Sequence, residues 1–404
     1  MGPFPKLDPV NLPMLGTYES ATISIFLWGP MYAWNAYDQS MFGLAFYNTV
    51  FPHRRFEYYA APLFGLGSQA LTGAALFQYH LYPKKSPIQR ISIGLQGKSF
   101  NFFTQEEFNY ELRFSRWTPF LRFQFRTEPL SQFSHSLEWR SVGLWIEEAG
   151  FSDGGRFLGT TWENTYIHRL RYAGKNQRAL HPFSYSLALE GQQYMDNTGP
   201  QQYLRASIEG QSQFTYAAGS HFFVRFFSGI HLINSKRSAG GLRTGAFNLA
   251  SQGSNDYRFE DSYFGRNEGA GFWSQQITVR EGGFKTPIPK GFPLGRSNDY
   301  IVALNLKVDL PMLANSPVHI RPYFDIGYFH NATPTGENDT LEDQLMWNGG
   351  LAVELLDGVL GFYFPFASSK NLQNRLLERG NYFNRISFAF DINRGDPRER
   401  WGRF

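Results

Sequence analysis

Nine histidines and a scatter of acidic pairs are the residues of this chain best suited to chemistry. A zinc peptidase would need a His-Glu-x-x-His helix, with both histidines on the metal and the glutamate activating water, and no histidine here is followed by glutamate. Glu106-Glu107 and Glu147-Glu148 offer paired carboxylates. Neighbours on an extended chain face opposite ways, so neither pair converges on one substrate atom. A complete Walker loop is missing, and Gly65-Leu66-Gly67 reads as strand glycine rather than a phosphate cradle. Without cysteine there is no disulfide, thiolate metal site or cysteine nucleophile. The chain is therefore expected to be no enzyme and to hold no metal or cofactor.

The elements that position the remaining polar residues are legible as alternation. Phe183, Tyr185, Leu187 and Leu189 fall on one face of an extended run, and Ser184, Ser186, Ala188 and Glu190 on the other. Similar runs span 42–47, 56–63, 74–82, 91–96, 120–126, 137–146, 166–172 and 183–190. They continue over 204–209, 222–230, 246–249, 302–309, 318–328, 351–355, 360–366 and 386–392. An even number of strands, sixteen in this reading, returns both termini to one side of a membrane. A soluble sandwich turns its apolar face inward, whereas a membrane barrel turns it out to lipid.

Composition favours the barrel. With 40 Phe, 22 Tyr and 9 Trp the chain is 18% aromatic, yet its mean hydropathy is only -0.37. Lumen and loops dilute the lipid-facing band of a barrel in this way. The apolar run from Ile23 to Trp28 is far too short for a spanning helix, which needs roughly 18 residues. A net charge of +4 without a basic tract argues against nucleic acid. No signal peptide is readable at Met1-Gly2-Pro3, and no fixed-length repeat supports a propeller. Trp139, Trp145, Trp162 and Trp347 suit an interfacial girdle better than a sugar platform.

The expected fold is thus all-β, a 16-stranded antiparallel transmembrane barrel with a long loop after strand 11. Residues 1–38 form a lead-in, 39–392 the barrel and 393–404 a periplasmic tail. The polar faces carry mixed charge: Arg205 and Glu209, then Lys307 and Asp309, then Arg321 and Asp325. Lys307, Arg321 and Glu354 are expected to form a lumen network. Residues 251–298, rich in Gly, Ser, Asn and Pro, are the long loop, and a loop of that length is more often functional than accidental.

Trp34-Asn35-Ala36-Tyr37-Asp38, Gly43 to Asn48, Ala61-Pro62-Leu63-Phe64-Gly65 and Leu71-Thr72-Gly73 resemble the C-terminal barrel attached to some envelope aminopeptidase-like gluzincin peptidases. The last third resembles the surface-antigen superfamily of outer-membrane assembly and secretion barrels. Its motifs are Asn305 to Pro311, Tyr323-Phe324-Asp325-Ile326-Gly327, Gly349-Gly350-Leu351, Phe364-Pro365-Phe366 and Ile386 to Phe390. The resemblance implies a loop arginine, from an Arg-Gly-aromatic motif, that pairs with an aspartate of the thirteenth strand. Asp325 matches the aspartate. Arg266 in Phe264-Gly265-Arg266-Asn267 and Arg280 in Val279-Arg280-Glu281-Gly282-Gly283-Phe284 are the candidates for the arginine, with Arg266 favoured, and neither preserves an intact Arg-Gly pair. An ordinary network of lumen charges is the alternative to a latch. Lys307 stands where relatives with assembly activity commonly carry glutamate, which speaks against insertase activity. Ile386, Phe388 and Phe390 resemble the last-strand signal read by barrel-assembly machinery.

The function implied is an outer-membrane anchor, and an export or display route, for a passenger domain outside this chain. Its partners would be outer-membrane lipid, the passenger or envelope proteins, and the assembly machinery during biogenesis. An assembly factor for other barrels, a solute-diffusion pore and a soluble sandwich binding module are the alternatives.

Overall fold

A computed structural model describes residues 26–48, 54–105, 107–108, 110–196, 199–235, 245–287, 294–310, 316, 318–330 and 343–391. Eighteen strands join in a single hydrogen-bonded sheet. Eleven come first: β1 Leu27–Asn35, β2 Gln39–Tyr47, β3 Phe56–Gly65, β4 Ala70–Leu81, β5 Ile88–Gln105, β6 Tyr110–Phe125, β7 Phe133–Phe151, β8 Phe157–Asn176, β9 Phe183–Asp196, β10 Gly199–Ala217 and β11 Ser220–Asn234. Four short strands lie in the loop that follows: β12 Phe247–Asn248, β13 Ser251–Gln252, β14 Gln276–Thr278 and β15 Arg296–Ser297. Five more complete the chain: β16 Tyr300–Val308, β17 Val318–His330, β18 Asp343–Leu355, β19 Leu360–Ser368 and β20 Ser387–Phe390, with one helix, α1 Lys370–Glu378, between the last two.

Leaving the four loop strands aside, sixteen remain, the number expected, and the loop follows the eleventh. Their membership differs from the sequence reading in two places. β1 lies within the stretch read as lead-in, and the run 246–249 read as a strand of the wall is β12, a two-residue strand of the loop that pairs with β15. The expected tail, 393–404, lies outside the described residues.

The chain divides into two compact units. In the first, Met1–Phe123 with Arg140–Thr165, strands β1 to β5 pair antiparallel in sequence order. The turn after β1 is built by Asn35, whose Oδ1 accepts from the amides of Tyr37 at 2.9 Å and Asp38 at 2.7 Å. Asp38 is fully buried and accepts from Ser68 Oγ and the Asn101 amide. Phe42, Leu44, Leu71, Tyr79, Leu81 and Ile93 are exposed, while Thr72, His80 and Ser92 are buried.

In the second unit, Gln124–Trp139 with Tyr166–Phe404, β8 to β11 and β16 to β20 pair antiparallel in sequence order, β11 lying directly against β16 despite the loop between them. The same inversion of polarity governs its strands. On β9, Leu187 and Leu189 are 46% and 44% exposed while Ser186 and Glu190 are 7% and 3% exposed. On β17, Phe324 and Tyr328 are exposed and Arg321, Tyr323 and Asp325 are buried. Strand alternation puts these sets on opposite faces, so in each unit an apolar face is bare and a polar face is covered.

Candidate functional site: a loop seated on the charged face

What covers the polar face in the second unit is the loop after β11, together with α1. Leu372 and Leu376 stand one helical turn apart on one side of α1 and are buried. They pack with Phe247, Leu249 and Phe284 of the loop against Phe227, Ile301, Ala303, Phe329 and Met346 of the strands. A second apolar cluster joins Ile277 to Tyr323, Ala352, Tyr363 and Ala389. Each large side chain buried here is worth roughly 1.5–3 kcal/mol, so the loop has a core of its own holding it to the sheet.

Charged groups fasten it further. Lys285 Nζ donates to Asp325 Oδ1 at 2.6 Å, and the Lys285 amide donates to Oδ2 at 3.0 Å. Asn305 ties the point together: its Nδ2 donates to Asp325 Oδ1 and to the Gly282 carbonyl, both at 3.0 Å, and its Oδ1 accepts from Arg225 Nη1 at 3.0 Å. Both members of the pair are buried, with side chains 4% and 0% exposed. Gly283 makes the approach feasible. Its φ is +69°, and a Cβ there would lie 2.5 Å from Arg225 Nη1 and 2.7 Å from Asn305 Oδ1. Only glycine fits both the backbone angle and the space.

A second hub centres on Glu190. Its carboxylate accepts from Arg205 Nε at 2.9 Å, Arg258 Nη1 at 2.6 Å, Tyr203 at 3.2 Å and Tyr257. Arg205 reaches on to the Gly245 carbonyl at 2.8 Å and Glu281 at 3.1 Å, and lies 4.6 Å over the Phe247 ring. Strand residues Glu190, Arg205 and Tyr203 thus grip loop residues Gly245, Phe247, Tyr257, Arg258 and Glu281. Burial raises the pKa of the Tyr257 hydroxyl, which keeps it protonated and able to donate.

The structure brings Lys307, Arg321 and Glu354 together. Lys307 Nζ contacts both oxygens of Glu354, at 2.7 and 2.9 Å, and Arg321 bridges Glu354 to Asp309. These four lie on β16, β17, β18 and the residue after β16, and need no loop residue.

Arg266 and Arg280 are placed elsewhere than the resemblance implied. Arg266 pairs with Asp256 at 3.1 Å and sits over Phe259 and Tyr263, all within the loop. Arg280 pairs with Asp261 at 3.0 Å. The partner of Asp325 is Lys285, one residue past the Val279 to Phe284 candidate. Charge, not residue type, is what a buried aspartate demands, and lysine supplies it.

The last strand also differs from expectation. Ile386 precedes β20, closing the turn at Tyr382–Arg385. Phe388 is 3% exposed, because Phe272 stacks on it at 4.6 Å and Trp273 meets it edge-on at 6.2 Å. Phe390 lies 5.5 Å from Phe264. The edge of β20 away from β19 is taken by β14, which pairs with it in parallel through Gln276 opposite Phe388 and Ile277 opposite Ala389. The expected strand end, Ile392, lies outside the described residues.

Lys285, Asn305, Glu190 and Arg258 are the site residues that sequence reasoning missed. Gly282-Gly283 followed by an aromatic and a cation was the available signal for the first. Gly150-Phe151-Ser152-Asp153-Gly154 has the spacing of a nucleophile elbow. It is the β7–β8 turn, in which Ser152 Oγ accepts from the Arg156 amide at 3.1 Å, and a strand follows it rather than a helix.

No protein-family model matches the chain, and no curated protein does. Among solved structures it is similar to BamA from Haemophilus ducreyi lacking POTRA domains 1–3, with 9% identity and a TM-score of 0.43 over 93% of this chain and 73% of that one. It is similar also to the outer membrane transporter YddB from Escherichia coli, with 8% identity and a TM-score of 0.27 over 87% of this chain and 60% of that one.

Proposed function

We propose that the chain is a sixteen-stranded outer-membrane barrel that serves as anchor, and as export or display route, for a passenger domain of a larger envelope protein. One observation carries the reading: apolar residues such as Leu187, Leu189, Phe324 and Tyr328 are bare while Glu190, Arg205, Arg321 and Asp325 are buried. In water, rows of exposed Leu and Phe on strand after strand would form an apolar patch far beyond what a soluble monomer tolerates. In lipid the same rows are the solvated surface. The partners in this reading are outer-membrane lipid, the passenger, and the assembly machinery during biogenesis, and the chain itself supplies no catalysis.

The loop acts as a seated plug. Its apolar core and its two charged hubs hold it on the polar face, so the resting protein conducts poorly. Unheated samples are expected to migrate faster than boiled ones on a detergent gel, and an unchanged migration would remove the membrane reading. Planar bilayers are expected to give small, intermittent currents, whereas large stable steps would make the protein a diffusion pore. Reconstitution with an unfolded barrel client should give little acceleration of its folding; strong acceleration would turn the reading towards an assembly factor.

A further inference from the structure

Away from the loop, the polar face of the second unit holds an open-sided cavity of about 310 Å³. Its floor is made by small residues. Lys175 on β8 stands opposite Ser184 on β9, and Ala173 opposite Ser186, while Ser184 and Ser186 stand opposite Gln211 and Glu209 on β10. Direct cross-strand partners share a face, so these side chains and Arg171, two residues from Ala173, all lie together. Ser134 and Ser136 of β7 and Gln124 of β6 also line it. Between the long side chains of Arg171, Lys175, Glu209 and Gln211 the lining is Ala and Ser.

The charge in the cavity is unbalanced. Glu209 is already engaged, accepting from Arg225 Nε at 2.9 Å and Gln211 Nε2 at 2.8 Å. Arg171 has no carboxylate in salt-bridge range among the described residues, and its Nε is buried with no hydrogen-bond partner. Lys175 is exposed to the same space. The Nε is shielded from the cavity as it is from water, so a ligand there would meet the terminal guanidinium nitrogens, whose fork matches the oxygens of a carboxylate or phosphate. Serine hydroxyls on the floor can turn to donate to the same oxygens.

We propose that this cavity is a binding site for a small oxyanion, carboxylate or phosphate, with Arg171 as its principal contact, Lys175 as the second cation and the serines as hydroxyl donors. The site lies apart from the Lys307, Arg321 and Glu354 network, is linked to the loop attachment through Glu209, Arg225 and Asn305, and stands whether or not the protein lies in a membrane.

The test is calorimetric titration of the purified chain in detergent with inorganic phosphate, then with citrate and acetate, and with glucose as the neutral control. Saturable binding of phosphate or of the carboxylates is expected, and the stronger of the two identifies the natural class. Arg171→Ala and Lys175→Ala should each weaken it at least tenfold, while Arg178→Ala, which removes a positive charge from the nearby turn outside the cavity, should leave it unchanged. Lys175 is exposed, so its variant keeps the fold even if Arg171→Ala does not. No saturable heat with any of the anions, equal binding of glucose, or equal loss in Arg178→Ala would overturn the proposal.

Discussion

Two cations of the same loop, Arg266 and Lys285, are both buried and both paired, yet they hold different things. Arg266 binds Asp256 Oδ2 at 3.1 Å and the Asp261 carbonyl at 2.6 Å, and Asp256 in turn accepts from the amides of Glu260 and Asp261. These partners are all loop residues, so this ion pair shapes the loop. Lys285 binds Asp325 on β17, beside Asn305 on β16, so that pair fixes the loop to the sheet. The contrast separates a loop's internal order from its attachment, and each can be broken alone.

Asp325→Ala is the largest expected perturbation. It leaves Lys285 as an uncompensated buried cation and removes an acceptor from Asn305 and from the Lys285 amide, a change of about 3–5 kcal/mol for a broken buried pair. The loop should leave the polar face, which rapid proteolysis between residues 245 and 287 and a rise in single-channel conductance would register. Wild-type proteolysis and conductance in this variant would show that the apolar core alone seats the loop.

Lys285→Met should cost less, on the order of 1–3 kcal/mol, because Asp325 keeps the Asn305 amide and the Lys285 backbone amide as donors. The double variant Asp325→Ala with Lys285→Met should therefore resemble Lys285→Met more than Asp325→Ala. Additive losses measured by urea titration of loop protection would contradict a direct pair.

Gly283→Ala tests the attachment without touching a charge. A Cβ 2.5 Å from Arg225 Nη1, at a φ of +69°, forces either the loop or Arg225 to move, at about 1–3 kcal/mol. Gly269→Ala is the control, since nothing lies within 4 Å of its Cβ position. Equal protection of the loop in both variants would mean that the close approach at Gly283 is not what positions Lys285.

How much of this was legible beforehand follows from which forces act locally. Alternation survives in the sequence because a wall with one lipid-facing and one polar face needs it strand by strand, so β9 and the charged faces of β16 and β17 could be read directly. Asp325, Lys307, Arg321 and Glu354 were legible as inward charges for the same reason. β1 was not, because Gly29-Pro30 reads as a break. Pro30 instead sits opposite Leu44 in a strand whose one pairing among the described residues is with β2, and a residue without an N–H is tolerated at such a position. The run 246–249 misled in the opposite sense, since Phe247 and Leu249 are apolar to fill the plug core rather than to face lipid. The burial of Phe388 could not be read from its own strand, because the rings that cover it, Phe272 and Trp273, arrive from far away in sequence.

Arg266→Ala is expected to have the smallest effect, and it bears hardest on the comparison because the resemblance pointed to this residue. Asp256 retains the amides of Glu260 and Asp261 as donors, so it is not left bare when the guanidinium goes. What is lost is the packing over Phe259, 4.5 Å away, and Tyr263, 5.0 Å away, together with the bond to the Asp261 carbonyl. A loss of about 1–2 kcal/mol confined to the loop's own structure follows, with cleavage rising between residues 253 and 266. The Lys285 attachment should stay protected and conductance unchanged, because the contact of Lys285 with Asp325 does not run through Arg266. If Arg266→Ala instead opened the channel as far as Asp325→Ala, the loop's internal fold and its docking would be one cooperative unit, and Arg266 would act on the latch through the shape of the loop rather than by touching Asp325.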